Sequence, residues 1–376
     1  YQLLGDELDG PRGRIYLMKQ MFETGEASAS TLEHLDRCLT CRSCETTCPS
    51  GVQYHKLLDV GRKTVEVLAA RPAGQRVQRR LLRAVVTHPT VFGVLERAGK
   101  LIRPWLPEAV SAKLPPRAAP ARERPPLRHA RRVLMLEGCA QPELSPNTNA
   151  AAARVLDRLG VSVVSAAGGG CCGAIDFHLN AQNAARDRAR RNIDARWPAI
   201  QAAAEAIVQT ASGCGAFVKD YGELLQDDPR YAAKAARVGE LAKDLVEVLR
   251  AEPLDVLALR GGKRLAVHCP CTLQHAQKLG GAVEAVLRQL GFELTAVSDG
   301  LLCCGSAGTY ALTQPEIAIA LRDRKLDALE SGQPETIVTA NVGCQTHLNS
   351  AGRTPVRHWI ELVDAALAQE RPASIR

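Results

Sequence analysis

The second part of the chain repeats itself, and the repeat is built on cysteine. Cys139 returns as Cys271, Cys171 as Cys303 and Cys172 as Cys304, each 132 residues on, and Cys214 returns as Cys344 after 130. Their surroundings match: RVLMLEGC parallels RLAVHCPC, VSVVSAAGGGCCG parallels ELTAVSDGLLCCG, and AIVQTASGC parallels TIVTANVGC. Each copy reads as strand, helix, strand, Cys-Cys-Gly, helix, strand, Cys, helix. Strands alternating with helices predict two α/β units with parallel sheets, over 132–262 and 263–376. In such sheets every patterned cysteine follows a strand. Four thiols per unit are therefore expected at the carboxyl edge, where α/β folds collect ligands.

A denser motif precedes the repeat. Cys38-x2-Cys41-x2-Cys44-x3-Cys48-Pro49 has the spacing of the bacterial ferredoxin run that holds [4Fe–4S] clusters. Two residues between thiols let three thiolates reach three corners of one cube, whereas zinc sites space two pairs more widely. The motif predicts a small helical, ferredoxin-like domain over residues 1–70 with Cys38, Cys41, Cys44 and Cys48 as metal ligands. In two-cluster ferredoxins the fourth cysteine serves the other cluster. The first residues, YQLLGDELDG, carry neither an initiator Met nor a signal peptide, so the sequence reads as an internal start with a partner motif expected upstream.

Thirteen cysteines, an odd number without a secretion signal, suit metal ligation in a reducing compartment better than a disulfide framework. For the sets Cys139, Cys171, Cys172, Cys214 and Cys271, Cys303, Cys304, Cys344, four thiolates fit a cubane cluster or a structural zinc. Glycine after each Cys-Cys pair is expected to let the backbone approach a bulky cluster. Cys269 has no counterpart in the first copy and reads as a non-ligand thiol. His268 and His275 flank Cys271, where they could tune or ligate a metal, and His178 follows the first Cys-Cys-Gly; an ordinary polar or helix-surface role is the one expected for each. Gly168-x-Gly170-x-x-Gly173 matches the dinucleotide fingerprint literally. Its counterpart Asp299–Gly305 lacks the first glycines and keeps the sulfurs, so a nicotinamide site is not expected. No Ser/His/Asp set, carboxylate pair or phosphate loop stands out, so no catalytic residue is assigned.

The net charge of +8 is uneven. Residues 71–132 hold 15 Lys and Arg against Glu96, Glu108 and Glu123, and the remainder is net negative. Apolar residues at helical spacing (Val77, Leu81, Leu82, Val85; Val91, Leu95, Ala98, Leu101, Ile102) predict two helices, followed by a Pro-rich linker through Pro115, Pro116, Pro120, Pro125 and Pro126. The 71–131 segment is either a solvated cover for the core or a surface for anionic lipid or acidic subunits. Aromatic residues at 4% leave little for base stacking, and nucleic acid is not expected as a partner. No apolar run reaches the length of a membrane span.

These motifs, with DELDGPRGRIYLMK before the first cysteine, PSGVQYH after Cys48, HCPCTLQH around Cys271 and GLLCCGSAGTY around Cys303, resemble the family of bacterial glycolate oxidase iron–sulfur subunits along essentially the whole chain. The doubled domain is similar more broadly to heterodisulfide-reductase-like subunits. The resemblance implies an electron conduit. A flavin-containing subunit would oxidise a 2-hydroxy acid, and this chain would relay electrons through [4Fe–4S] clusters to a quinone-type acceptor. It would work in the cytoplasm, at the inner face of the cytoplasmic membrane. The twelve patterned cysteines match the family's ligands. Where the heterodisulfide-reductase pattern ends in Cys-x-x-Cys, this chain has Ala211 and Asn341, which speaks against five-thiolate clusters and leaves four-thiolate or empty sites. A lactate-utilisation or heterodisulfide-reductase-like subunit and a zinc-stabilised scaffold are the alternatives.

Overall fold

The computed structural model describes all residues except 103–104, 106–119, 258, 260–261 and 370–376. The first six helices are α1 (Pro11–Thr24), α2 (Ala29–Asp36), α3 (Ser43–Thr46), α4 (Tyr54–Leu68), α5 (Ala73–Val86) and α6 (Pro89–Ile102). Pro11 opens α1 at the first helical position, where its missing N–H costs nothing, and Gly25 closes it in the left-handed region. Ser28 caps α2 by accepting from the Thr31 N–H. The inward faces of α1, α2 and α4 meet in a small core of Met18, Met21, Leu32, Leu35, Leu58 and Val65.

Two four-stranded sheets follow. β1 (Arg131–Met135), β2 (Val161–Ser165), β3 (Ile207–Gln209) and β4 (Ala242–Asp244) lie in the order β2-β1-β3-β4; β5 (Arg264–His268), β6 (Glu293–Leu294), β7 (Thr336–Thr339) and β8 (Val356–His358) lie as β6-β5-β7-β8. Every pairing is parallel. The structure thus has the two repeated α/β units that the cysteine spacing predicts. It adds one edge strand to each, β4 and β8. Both are three residues long with an exposed cation, Lys243 or Arg357, at the centre, and so carry too little apolar pattern to be read as strands.

In each sheet the chain leaves the first strand to one side and returns on the other, so the crevice between β1 and β3, and between β5 and β7, is a topological switch point. Cys139 and Cys271 follow the strands on one side of these crevices. Cys214 and Cys344 sit in the helices Ser212–Lys219 and Val342–Asn349 that follow the other. The two units share one core, in which Val155, Leu156 and Leu245 pack in the same cluster as Leu265, Val286 and Trp359. They are also joined at their carboxyl edges: Ser212 N–H donates to Ala340 O at 3.1 Å, and His358 Nε2 lies 2.8 Å from Thr210 O.

The basic segment forms the two helices that its spacing predicts. Val85 and Val86 of α5 and Phe92 and Leu95 of α6 cover the edge where the cysteines lie, while Val77, Leu81, Val91 and Val94 face outward. Much of the positive charge is matched from outside the segment. Arg71 and Arg79 pair with Asp36, Arg83 with Asp176, and Arg97 with Glu143. Of the Pro-rich linker, Pro115 and Pro116 lie outside the described residues. Residues 120–130 are tied to the first unit by Arg124–Glu137 and Arg128–Asp157 pairs and to the last helix of the second by Arg122–Asp364. Among the described residues no helix is long and apolar enough to cross a membrane.

Candidate metal centres

The first thiol set is wound into a tight loop. Thr40 and Arg42, neither of them glycine, take positive φ of 54° and 59°, a conformation that persists only where neighbours over-determine it. Arg62 of α4 supplies that constraint: its guanidinium donates to Leu35 O at 2.9 Å, to Cys38 O at 2.8 Å and to Thr40 Oγ1 at 2.9 Å. The winding brings Cys38, Cys41 and Cys44 onto the wall of one cavity of about 270 Å³. Burial, then the neighbouring Cys271 and Cys38, push the Cys41 thiol up to about 12, and burial with Cys41 and Cys38 does the same for Cys44. Cys48 is different. It is not on that wall, and backbone N–H groups of Val52, Ser50 and Gly51 turn toward it and lower its pKa.

The two repeated sets are built alike. In the first, Cys139 is next to Cys171, Cys171 next to Cys172, and Cys172 next to Cys214, each near enough to shift its neighbour's ionisation. In the second, Cys271, Cys303, Cys304 and Cys344 form the same chain. Hydrogen bonds from Cys139 and Cys172 lower Cys171 to about 3, while Cys139 and Cys172 are raised by those same bonds and by burial. Without a cation, only a minority of such thiols can ionise together. A multivalent cationic core would allow all of them to do so, which is the chemistry this donor set fits.

Polar groups outside the sets hold them in place. Asn192 donates to Cys171 O at 2.8 Å and Tyr221 OH to Cys172 O at 2.6 Å. In the second unit the Gly305 N–H points at Cys303 Sγ, 3.4 Å away, and the fully buried Lys325 ammonium donates to Asp299 O and Gly300 O. Asn341, standing where the longer pattern has a cysteine, donates its amide to Cys344 Sγ at 3.5 Å. Ala211, at the matching place in the first unit, can offer no such bond.

The glycines after the Cys-Cys pairs are required for a reason different from the expected one. Gly173 and Gly305 have φ of 102° and 85°. A Cβ on Gly305 would lie 2.5 Å from Ala318 O, and one on Gly173 3.0 Å from Ala185 O. What presses close is the backbone of the second helix after the glycine, Gln182–Gln201 or Pro315–Glu330. Gly305→Ala is therefore expected to lose about 2 kcal/mol or more from the positive φ and the backbone clash together. A urea midpoint indistinguishable from that of the unaltered protein would refute this.

The three sets open on one space. Ten of the thirteen thiols, including Cys38 and Cys41, line a cavity of about 1100 Å³. Cys41 is close enough to Cys271 and Cys303 for their charges to interact. The N-terminal domain is seated there by Thr46 Oγ1 with His275 Nδ1 at 2.9 Å, by Tyr310 OH donating to Arg37 O at 3.0 Å, and by an Arg42–Asp220 ion pair. Cys269 lies off this cavity against the shared core, its thiol pushed up to about 12 by burial. His178 is on the cavity wall, edge-on to Phe217.

One residue read as an ordinary polar side chain belongs with the sulfurs. A ring nitrogen of His268 and the thiols of Cys304 and Cys344 all lie within 4.8 Å of one another. The ring is buried, and burial followed by the Lys325 charge lowers its pKa to about 3, so it is neutral. The sequence signals were its place at the end of a strand and beside Cys271.

Comparison with known proteins agrees with this architecture. The Cysteine-rich domain family matches residues 133–219 and 265–349, the two sheet units with their thiols. The glycolate oxidase iron-sulfur subunit of Escherichia coli (strain K12) is 68% identical over 370 residues, 98% of this chain and 91% of that protein. The chain belongs to the glycolate oxidase iron–sulfur subunit family. A probable glycolate oxidase iron-sulfur subunit of Bacillus subtilis (strain 168) is 30% identical over 90% of the chain and 82% of its own length. Lactate utilization protein A of Bacillus velezensis is also 30% identical, but over 59% of the chain. The lactate-utilisation likeness thus reaches less of the molecule than the glycolate oxidase likeness.

Proposed function

We propose that this chain relays electrons as the iron–sulfur subunit of a glycolate-oxidising complex, from a flavin-containing subunit that oxidises the hydroxy acid to a quinone-type acceptor at the membrane. In this reading residues 1–70 are the ferredoxin-like domain, 71–131 the basic segment, and 132–262 and 263–376 the two Cys-Cys-Gly domains. Cys38, Cys41, Cys44 and Cys48 serve as ferredoxin-type ligands, with Cys48 turned away from the other three. Cys139, Cys171, Cys172 and Cys214, and then Cys271, Cys303, Cys304 and Cys344, each hold a [4Fe–4S] cluster. Such clusters, when bound, take up and release single electrons.

The observation that carries the reading is the common cavity, on which the N-terminal thiols and both repeated sets face one another. The chain's own residues hold the thiols in register. Arg62 clamps the ferredoxin loop, Val85, Val86 and Phe92 line the cavity from α5 and α6, and Asn341 and the Gly305 N–H direct polar hydrogens at sulfur. The outward face of α5 and α6, with Val77, Leu81 and Val91 beside exposed Arg76 and Arg80, is suited to a peripheral contact with an anionic membrane surface on the cytoplasmic side.

Anaerobically reconstituted protein is expected to show broad visible absorbance that dithionite bleaches, with iron and acid-labile sulfide in equal amounts. Zinc without iron or sulfide would replace the relay with a structural role.

A further inference from the structure

The two thiol sets stand on matching strands and differ at one pair of positions. On the second sheet His268 and Thr339 are register partners across β5 and β7. At the matching place in the first unit stand Leu136 and Gln209; Leu136 N–H bonds Val208 O at 3.0 Å, just past the β1–β3 pairing. His268 is 1% exposed. Its Nδ1 lies 2.9 Å from Thr339 Oγ1, and its Nε2 has no hydrogen-bond partner among the described residues. A deeply buried ring nitrogen without a partner is costly unless something binds it, and a nitrogen of this ring lies within 4.8 Å of the Cys304 and Cys344 thiols. A polar group bonded to one ring nitrogen orients a metal-binding histidine and leaves the other nitrogen for the metal.

We propose that His268 binds iron through Nε2 in the group held by the second Cys-Cys-Gly set, so that this site is a mixed thiolate–imidazole centre while the first is all-thiolate. This rests on the cluster reading above and deepens it. Thr339 is a positioning residue: its hydroxyl, 2.9 Å from Nδ1, holds the ring while Nε2 has no hydrogen-bond partner among the described residues. His268, Cys304 and Cys344 are crowded closely enough for two of them to share one iron. Cys271, Cys303, Cys304 and Cys344 are retained, so the neutral imidazole is an added ligand that leaves the charge of the thiolate set unchanged.

The test uses the full-length protein, reconstituted anaerobically, reduced, and carrying either natural or 15N-labelled histidine. Pulsed EPR is expected to show a strong nitrogen coupling that changes with the isotope. It is expected to be lost in His268→Gln, kept in His275→Gln and weakened in Thr339→Val. In His268→Cys the midpoint potential of one cluster is expected to fall. Normal iron and sulfide with no strong nitrogen coupling in the unaltered protein overturns histidine ligation and leaves the relay reading intact. Absence of iron and sulfide overturns the relay reading itself. Should His268→Gln fail to fold, the isotope comparison in the unaltered protein decides alone.

Discussion

Cys41→Ser is expected to disconnect the N-terminal domain from the rest of the relay. Cys41 has thiol neighbours in two sets: it lies with Cys38 and Cys44 on the small cavity and against Cys271 and Cys303 on the large one. A serine hydroxyl is a far weaker ligand for iron than a thiolate. Substitutions that only support metal ligands cost roughly 10–100-fold in affinity or activity, and removing a ligand outright should exceed that. Glycolate-dependent dye reduction by the assembled complex should therefore fall by more than about 100-fold, and iron content should fall by one cluster. Cys269→Ser, off the cavity, should change neither. If both variants reduced dye equally well, the path through Cys41 would be wrong.

The second large effect concerns the lining that α5 and α6 give the cavity. Asp176, whose side chain is 1% exposed, accepts from Arg83 of α5 at 2.7 Å and from Arg188 at 2.5 Å. Arg188 in turn donates to the Thr87 hydroxyl and carbonyl just beyond α5. Asp176→Ala would leave Arg188 largely buried without its counter-charge and remove the main polar tie between α5 and the first sheet unit. Breaking a buried pair from one side costs about 3–5 kcal/mol. Arg97→Ala removes an ion pair in which the arginine is 70% exposed and should cost less than about 1 kcal/mol. Urea midpoints of the two variants compare these directly, and alkylation of the cavity thiols should speed up only in Asp176→Ala. Equal midpoints would show that Asp176 does not anchor α5.

Much of the thiol arrangement was legible because thiols that meet leave a spacing in the chain. Cys38, Cys41 and Cys44 recur every third residue and line one cavity, and the duplicated unit keeps its cysteines at a near-constant offset. The parallel sheets followed from strands alternating with helices. Strands β4 and β8 escaped because three residues with a central cation have no readable period. The basic segment was legible as two helices, but its charge was not. Arg71, Arg79 and Arg83 find their carboxylates on Asp36 and Asp176, residues that chain order leaves far away.

The sequence by itself determined which thiols lie together within a set, because the first set recurs along one loop and the other two recur at a near-constant offset after the strands of a parallel sheet. Tertiary structure alone decided which sets meet and what stands among them. Cys41 reaches Cys271 only because Arg37, Arg42 and Thr46 dock the small domain onto the sheet edges. His268 joins Cys304 and Cys344 only because parallel pairing of β5 with β7 brings the ends of distant segments to the same edge. Local periodicity records the direction in which a side chain leaves its own strand or helix. It holds no record of what arrives opposite, and in this protein that is where the three thiol sets become one site.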